Sequence, residues 1–252
     1  MSMIVNADDF GLDESTSRAI LEAFEKGYIT HTTLMANMPY AGEAAELIKK
    51  AGLADKTGLH LNITSGMPLS QGIKDNPLIC ADNGQFNAAF YHAARYRLYM
   101  DDLSISQIRD EFKAQIEKFL SFGLTELHID SHHHVHTNYP VYRALCKLND
   151  EYGFKYVRLS RNMYHGGNPA NRIYKTIYNT AVKRVGTDHT DLFGSYRDLR
   201  DYVNNDPERL KKLLSSKDIE VMVHPMYDGN GVLCDTDIKM EDEWELLCLA
   251  QR

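Results

Sequence analysis

The chain opens on Met3-Ile4-Val5-Asn6-Ala7, a short apolar run that breaks abruptly into Asp8-Asp9-Phe10-Gly11. That pattern predicts a buried strand whose C-terminal end runs into a polar loop. Asp13-Glu14-Ser15-Thr16 then precedes Ile20, Ala23 and Phe24 at helical spacing, with Gly27 as the stop. His31 to Asn37 reads as a threonine-rich strand, Tyr40 to Lys50 as a helix ending near Gly52, and Gly58 to Ile63 as a third strand. Strand and helix alternate from the first residue with short connections, which is the pattern of a parallel sheet with right-handed crossovers.

Pro68 to Gln85 breaks the rhythm, with Gly72, Pro77 and Gly84 marking a long loop or insertion. Two helices are predicted after it, Phe86 to Met100 and Ile105 to Phe122. The second carries a Ser104…Gln107 capping box and a stripe of Ile108, Phe112, Ile116 and Phe119. A strand at Glu126 to Asp130 runs into a histidine cluster, followed by a helix from Pro140 to Tyr152 and a strand at Lys155 to Leu159. Helices are expected over Asn168 to Arg184, from Asp206-Pro207, and over Asp242 to Ala250, with a late strand at Ile219 to Val223 ending at His224-Pro225. No Ser/Gly linker divides the 252 residues, so one domain over 1–252 is expected, with an insertion around 68–103.

Composition narrows the class. A net charge of −7, with no basic run, does not suit a general nucleic-acid binder. No apolar stretch approaches a membrane span and no signal-peptide pattern precedes the first strand, so a cytoplasmic protein is expected. The four cysteines, Cys80, Cys146, Cys234 and Cys248, form no C-x-x-C pair and read as reduced thiols. Of 11 histidines, five fall between His128 and His136.

The conspicuous polar residues fall at or near the C-terminal ends of predicted strands: Asp8 and Asp9, His60, His132 to His136, and His224. In a barrel of parallel strands those ends form one face, where sites are built. One aspartate with two neutral imidazoles suits Zn²⁺, Fe²⁺, Mn²⁺ or Co²⁺, and an adjacent carboxylate can take a proton from water in metal-assisted hydrolysis. If the cluster is extended, His132, His134 and His136 share one face and His133 takes the other. Taken alone, an Asp-Asp pair also fits a helix cap, and His60 also fits a hydrogen-bonded core histidine.

Val5-Asn6-Ala7-Asp8-Asp9-Phe10-Gly11, Gly58-Leu59-His60, His128-Ile129-Asp130-Ser131-His132-His133-His134-Val135-His136 and Met222-Val223-His224-Pro225 resemble the signature blocks of the YdjC-like carbohydrate deacetylases. Within that family they resemble the chitooligosaccharide deacetylase subgroup. The blocks run in family order from residue 5 to residue 225. The resemblance implies an α/β fold, a distorted (β/α) barrel of the TIM-like, polysaccharide-deacetylase type, with parallel strands inside a layer of helices.

It also implies one divalent metal ion, magnesium or zinc, held by Asp9, His60 and His132. Asp8 would be the general base that takes a proton from the attacking water, and His224 the acid that protonates the departing amine. Arg158 and Arg161 sit where the family carries arginine near the site, and His134 and His136 would orient ligands or touch sugar hydroxyls. The expected reaction removes an N-acetyl group from an amino sugar or short oligosaccharide. The partner is then a small N-acetylated sugar; homo-oligomers are compatible, and neither nucleic acid nor a membrane is expected. Another metal-dependent amidohydrolase or a phosphoesterase on a similar barrel is the alternative, although no G-x-x-x-x-G-K-[ST] phosphate loop is present. A non-enzymatic sugar-binding or metal-buffering protein would not need both Asp8 and His224. Residues 164–206 depart from the chitooligosaccharide subgroup and hold Tyr164, Tyr174, Tyr178 and Tyr196, candidates for stacking on sugar rings.

Overall fold

The computed structural model describes residues 3–163, 168–239 and 241–250. In chain order the strands are β1 (Met3–Phe10), β2 (His31–Leu34), β3 (Thr57–Leu61), β4 (His128–Ser131), β5 (Tyr156–Val157), β6 (Leu192–Ser195), β7 (Ile219–Val223), β8 (Met226–Tyr227) and β9 (Leu233–Cys234). The helices are α1 (Glu14–Glu25), α2 (Ala41–Lys50), α3 (Ala89–His92), α4 (Asp102–Ser121), α5 (Tyr139–Tyr152), α6 (Pro169–Val182), α7 (Tyr196–Asn205), α8 (Pro207–Leu214) and α9 (Glu241–Ala250).

Seven strands form one sheet in the order β5-β4-β3-β2-β1-β7-β6, every pair parallel. The sheet curls, with helices around it, into a distorted (β/α) barrel. Its two edges, β5 and β6, are joined by the segment after β5: Asn162 and Met163 both donate their backbone N–H to the Phe193 carbonyl at 3.0 Å. The Asn162 side chain adds bonds to the Phe193 N–H and the Asp191 carbonyl. A short β8–β9 hairpin follows β7.

Period-two alternation assigns the two sides of each strand. Val5 and Ala7, Leu59 and Leu61, Ile129, and Val221 and Val223 join the buried core. The alternate positions carry Asn6, Asp8, Thr33, His60, Asp130 and Glu220, all buried and converging inside the barrel. The helices follow their caps. Asp13 accepts from Thr16 N at 2.8 Å to start α1, and Asn168 and Asp206 cap α6 and α8.

Three expectations change. Asp101, not Ser104, caps α4, accepting from Ser104 N at 2.8 Å; Ser104 and Gln107 instead receive the Asn76 side chain at 3.0 and 2.6 Å. The helix expected over Phe86 to Met100 is two single turns, α3 and a 3₁₀ turn at Ala94–Arg97, because the segment is tied down by the burial of Phe86, Phe90 and Met100 rather than by a continuous stripe. β6 and α7 were not anticipated; β6 is only four residues long, and α7 is signalled by a Ser195…Asp198 capping box. The insertion is fastened to α4 by buried polar groups. Glu111 accepts from Leu69 N and Ser70 N at 3.1 and 2.7 Å. Gln115 bonds both the N–H and the carbonyl of Asn62 at 2.9 and 2.6 Å. Among the described residues no helix is long and apolar enough to cross a membrane.

The β3–β4 contact leaves no space at Gly58. An added Cβ there would lie 2.6 Å from His128 Nδ1 and closer still to the His128 carbonyl oxygen. Because that backbone cannot yield without breaking the ladder, Gly58→Ala should cost about 1–3 kcal/mol, toward the upper end of the overpacking range. The check is a urea unfolding midpoint; a midpoint equal to the parent's would contradict this packing.

Candidate active site

The barrel interior is organised around a fully buried guanidinium. Arg158 donates to Asp8 through two nitrogens at 2.6 and 2.7 Å, to Asp130 at 2.7 Å and to Glu220 at 2.6 Å. Tyr156 donates its hydroxyl to the same Glu220, and the guanidinium lies 4.8 Å over the Phe193 ring. A buried charge costs several kcal/mol unless paired and hydrogen-bonded. Burial raises the Asp8 and Asp130 carboxyls, but Arg158 outweighs it and holds both below the usual carboxylate range. Glu220 stays above its ordinary value, burial prevailing over the attraction of Arg158.

Consecutive strand residues normally face opposite sides, yet Asp8 and Asp9 serve one site. The β1–β2 register shifts between Ala7 and Phe10, and Asp9 takes a left-handed φ of 69°. This irregularity turns Asp9 across the strand ends, as bulges do when they re-aim a side chain. Asp9 Oδ1 lies 3.0 Å from His60 Nε2 and 2.8 Å from His132 Nδ1. Burial raises the Asp9 carboxyl, but its hydrogen bonds to His132 and His60 hold it well below its ordinary value.

His60 is fixed from behind. Its Nδ1 lies 2.7 Å from Asp130 Oδ1, and Thr33 donates to Asp130 Oδ2 at 3.0 Å. Burial lowers the His60 pKa, but the charges of Asp130 and Asp9 raise it to about 10. The donor atoms of Asp9, His60 and His132 lie within 4.8 Å of one another. One carboxylate and two imidazoles, one of them backed by a second carboxylate, have the chemistry of a divalent-metal set, so these residues fit such an ion.

His224, at the end of β7, is half-buried, with Nε2 4.0 Å from Asp8 Oδ2 and Nδ1 4.0 Å from Asp235 Oδ2. Asp235 also accepts the His224 backbone N–H. Asp8, Asp9, His60, His132, Arg158 and His224 are therefore brought together. Arg161 forks onto Asp198 at 2.5 Å, at the start of α7. His136 is buried with Nδ1 2.5 Å from Ser131 Oγ, and His134 packs edge-on against Phe193 and His136. Of the four tyrosines, Tyr174 and Tyr178 bond the carbonyls of Thr137 and His136, Tyr196 is buried, and Tyr164 lies outside the described residues.

The histidine cluster is not extended. Residues His132–Thr137 form a 3₁₀ turn in which His133 (φ 54°) and His134 (φ 54°) are left-handed. His133 therefore does not oppose His132; the two rings lie 4.1 Å apart. The sequence reading also missed Asp130, Glu220, Thr33, Asn6 and Asp235. A glutamate inside the apolar run Ile219–Val223 was the available signal for Glu220, and Asp130 stood within the histidine motif; Asp235 carried none. A cavity of about 280 Å³ at the opposite strand ends, lined by His31, His128 and Tyr156 among others, shares no residue with the Asp9 set.

Fold and site together define a parallel (β/α)-barrel protein with a candidate metal centre at the C-terminal strand ends. The chain belongs to the YdjC-like protein family, whose model matches residues 2–251. It is 32% identical over 256 residues to a carbohydrate deacetylase of Clostridium beijerinckii, covering 100% of this chain and 92% of that protein. It is 30% identical over 228 residues to one of Halalkalibacterium halodurans, with 90% and 86% covered. Identity to one of Geobacillus stearothermophilus is 42% over 155 residues, covering 59% of this chain and 56% of that one. The crystal structure of an Enterococcus faecalis V583 protein named for cellobiose-phosphate cleavage superposes with a TM-score of 0.70 at 23% identity, covering 97% and 89% of the two chains. That likeness bears on the fold.

Two outcomes follow from this interior. Arg158→Met strands three buried carboxylates and should lower the unfolding free energy by about 3–5 kcal/mol, measured by urea denaturation; a loss under about 1 kcal/mol would mean that water reaches the cluster. The second concerns acid. Burial lowers His128 and His136 to about 3, so below pH 6.5 the unfolded chain binds protons there that the folded chain does not. Their stabilisation is full above pH 6.5 and is lost as pH falls toward 3, about 2 kcal/mol for each between pH 7 and 5. His60, raised to about 10, has the opposite sign, and its contribution is lost as pH rises from 6.5 to 10. Unfolding curves of the metal-free protein across pH 5–9 check both slopes, and a flat profile from 7 to 5 would contradict the first.

Proposed function

We propose that this protein is a metal-dependent carbohydrate deacetylase that hydrolyses the N-acetyl group of an amino sugar or a short oligosaccharide of the chitooligosaccharide type. The observation that carries this reading is the pair of adjacent carboxylates with different partners. Asp9 sits between two imidazoles, while Asp8 sits on Arg158 and 4.0 Å from His224. The names of the relatives support the same substrate class. A divalent ion, magnesium or zinc, held by Asp9, His60 and His132 would polarise the acetyl carbonyl and make a neighbouring water more acidic.

The remaining roles fall to this chain's own side chains. Asp8, kept ionised and aimed by Arg158, accepts a proton from the water whose oxygen attacks the carbonyl carbon. His224 donates a proton to the amide nitrogen as the C–N bond breaks, because an amide anion is too poor a leaving group to depart unprotonated. Acetate and the free amine are the products. Asp130 holds His60 with Nε2 toward Asp9. His134 and His136 shape the wall behind the turn, and Arg161, paired with Asp198, belongs to its rim. A single catalytic domain in the reducing cytoplasm suits the four free cysteines.

The test is release of acetate by metal-loaded protein from a panel of N-acetylated mono-, di- and oligosaccharides, with a phosphate ester and a cyclic amide alongside. Acetate is expected from the sugars only. Asp8→Asn should retain metal while turnover falls by about 10²- to 10⁴-fold, and His132→Ala should lose metal on dialysis. Turnover of the phosphate ester or cyclic amide in place of the sugars would replace this reading with the alternative hydrolases.

A further inference from the structure

Three non-glycine residues among those described have a left-handed backbone, Asp9, His133 and His134, and all three lie at the candidate centre. Asp9 has an evident reason, since the conformation aims its carboxylate. His133 has none in the mechanism above. A turn that needs positive φ is cheapest with glycine, and such strain persists only where the surroundings enforce it. Here they do. The His133 ring is stacked on Tyr91 (centroids 5.5 Å apart, 23° between planes), and its centroid lies 4.1 Å from that of His132. Its Nδ1 is 3.1 Å from Oγ1 of the buried Thr64.

Thr64 and Tyr91 both come from the long connection between β3 and α4. Thr64 is held in turn by the Asn62 side chain, which accepts from the Thr64 and Ser65 backbone at 2.9 and 3.1 Å. Tyr91 belongs to the single-turn α3. His133 is an exposed residue, and with Nδ1 engaged by Thr64 the nitrogen left open is Nε2. Nε2 makes no hydrogen bond among the described residues. The turn thus presents one imidazole nitrogen beside a candidate metal ligand, on a ring held by three neighbours.

We propose that His133 is a substrate-binding residue, whose Nε2 hydrogen-bonds a hydroxyl of the sugar deacetylated at the adjacent centre, with Tyr91 as the wall that fixes its angle. This rests on the deacetylase reading. It assigns the insertion a role in sugar recognition. A ring that merely fastened the insertion would need no open nitrogen, and a metal ligand would not be turned so that its Nδ1 faces Thr64 and its ring lies against His132.

The experiment uses metal-loaded full-length protein and N-acetylglucosamine with its short oligomers. His133→Gly removes the imidazole and relieves the left-handed backbone. We expect KM to rise about tenfold with kcat much less affected, bound metal equal to the parent's, and Tm unchanged or higher. Tyr91→Leu should raise KM in the same direction. His133→Asn, which tolerates the left-handed backbone, provides a second probe if the glycine variant does not fold, and the same rise in KM is expected. An unchanged KM in a folded variant would overturn the proposal, and so would a fall in Tm without a change in KM, which marks a purely structural ring. Loss of metal would make His133 a ligand and overturn it equally. A parent protein that frees no acetate from any sugar would instead remove the deacetylase reading itself.

Discussion

One buried cation sets the terms for the rest of the barrel. Arg158 lies inside a curled sheet, three strands of which each supply a carboxylate: Asp8 from β1, Asp130 from β4 and Glu220 from β7. A guanidinium can satisfy several such partners because its donors are fixed in a planar fork, which an ammonium cannot match. Without it the interior would hold three acids of one sign in a low-dielectric space. With it, the strands are tied across the barrel by charge-assisted hydrogen bonds as well as by their ladders. Closure at β5 and β6 depends on the same neighbourhood, since the chain immediately after Arg158 makes the bonds to Phe193.

The same cluster prepares the candidate chemistry. Asp8 is held ionised by Arg158 and Asp130 is held ionised beside His60, so one cation supports both the carboxylate proposed as base and the support of a proposed ligand. Backbone strain is spent at this end of the molecule. The bulge at Asp9 turns two successive carboxylates to different tasks, and the left-handed turn at His133 and His134 brings successive imidazoles to the mouth. Away from the site the strands are regular and their outward sides are apolar, which lets the helices pack without special devices.

The insertion between β3 and α4 illustrates how a long connection can be ordered without a core of its own. Its apolar residues Ile73, Ile79, Phe86 and Phe90 join the main core, and its backbone is bonded by Glu111 and Gln115 from α4. Burial raises the Glu111 carboxyl even though backbone donors and Gln115 work against it. This arrangement sets Thr64 and Tyr91 against His133, so the long connection touches the candidate centre directly.

Much of this was legible in the chain. Alternating apolar runs and amphipathic stretches gave the parallel strands and most helices, because burial of one side of a strand or helix is a local, periodic constraint. Asp8, Asp9, His60, the cluster His132 to His136 and His224 stood out because polar residues at the ends of apolar strands must meet at one barrel face, and the family resemblance singled out His132 within the cluster. What the tertiary structure alone decided was pairing and direction. The anchor partners Asp130, Glu220 and Asp235 come from separate parts of the chain, and the attraction that selects them acts through space and leaves no period in the sequence. The turn at His133 was equally hidden, since alternation assumes an extended backbone and the contacts of His133 with Thr64 and Tyr91 come from far away in the sequence. Local pattern fixes which residues are buried; which buried charges face one another is settled only when the sheet curls.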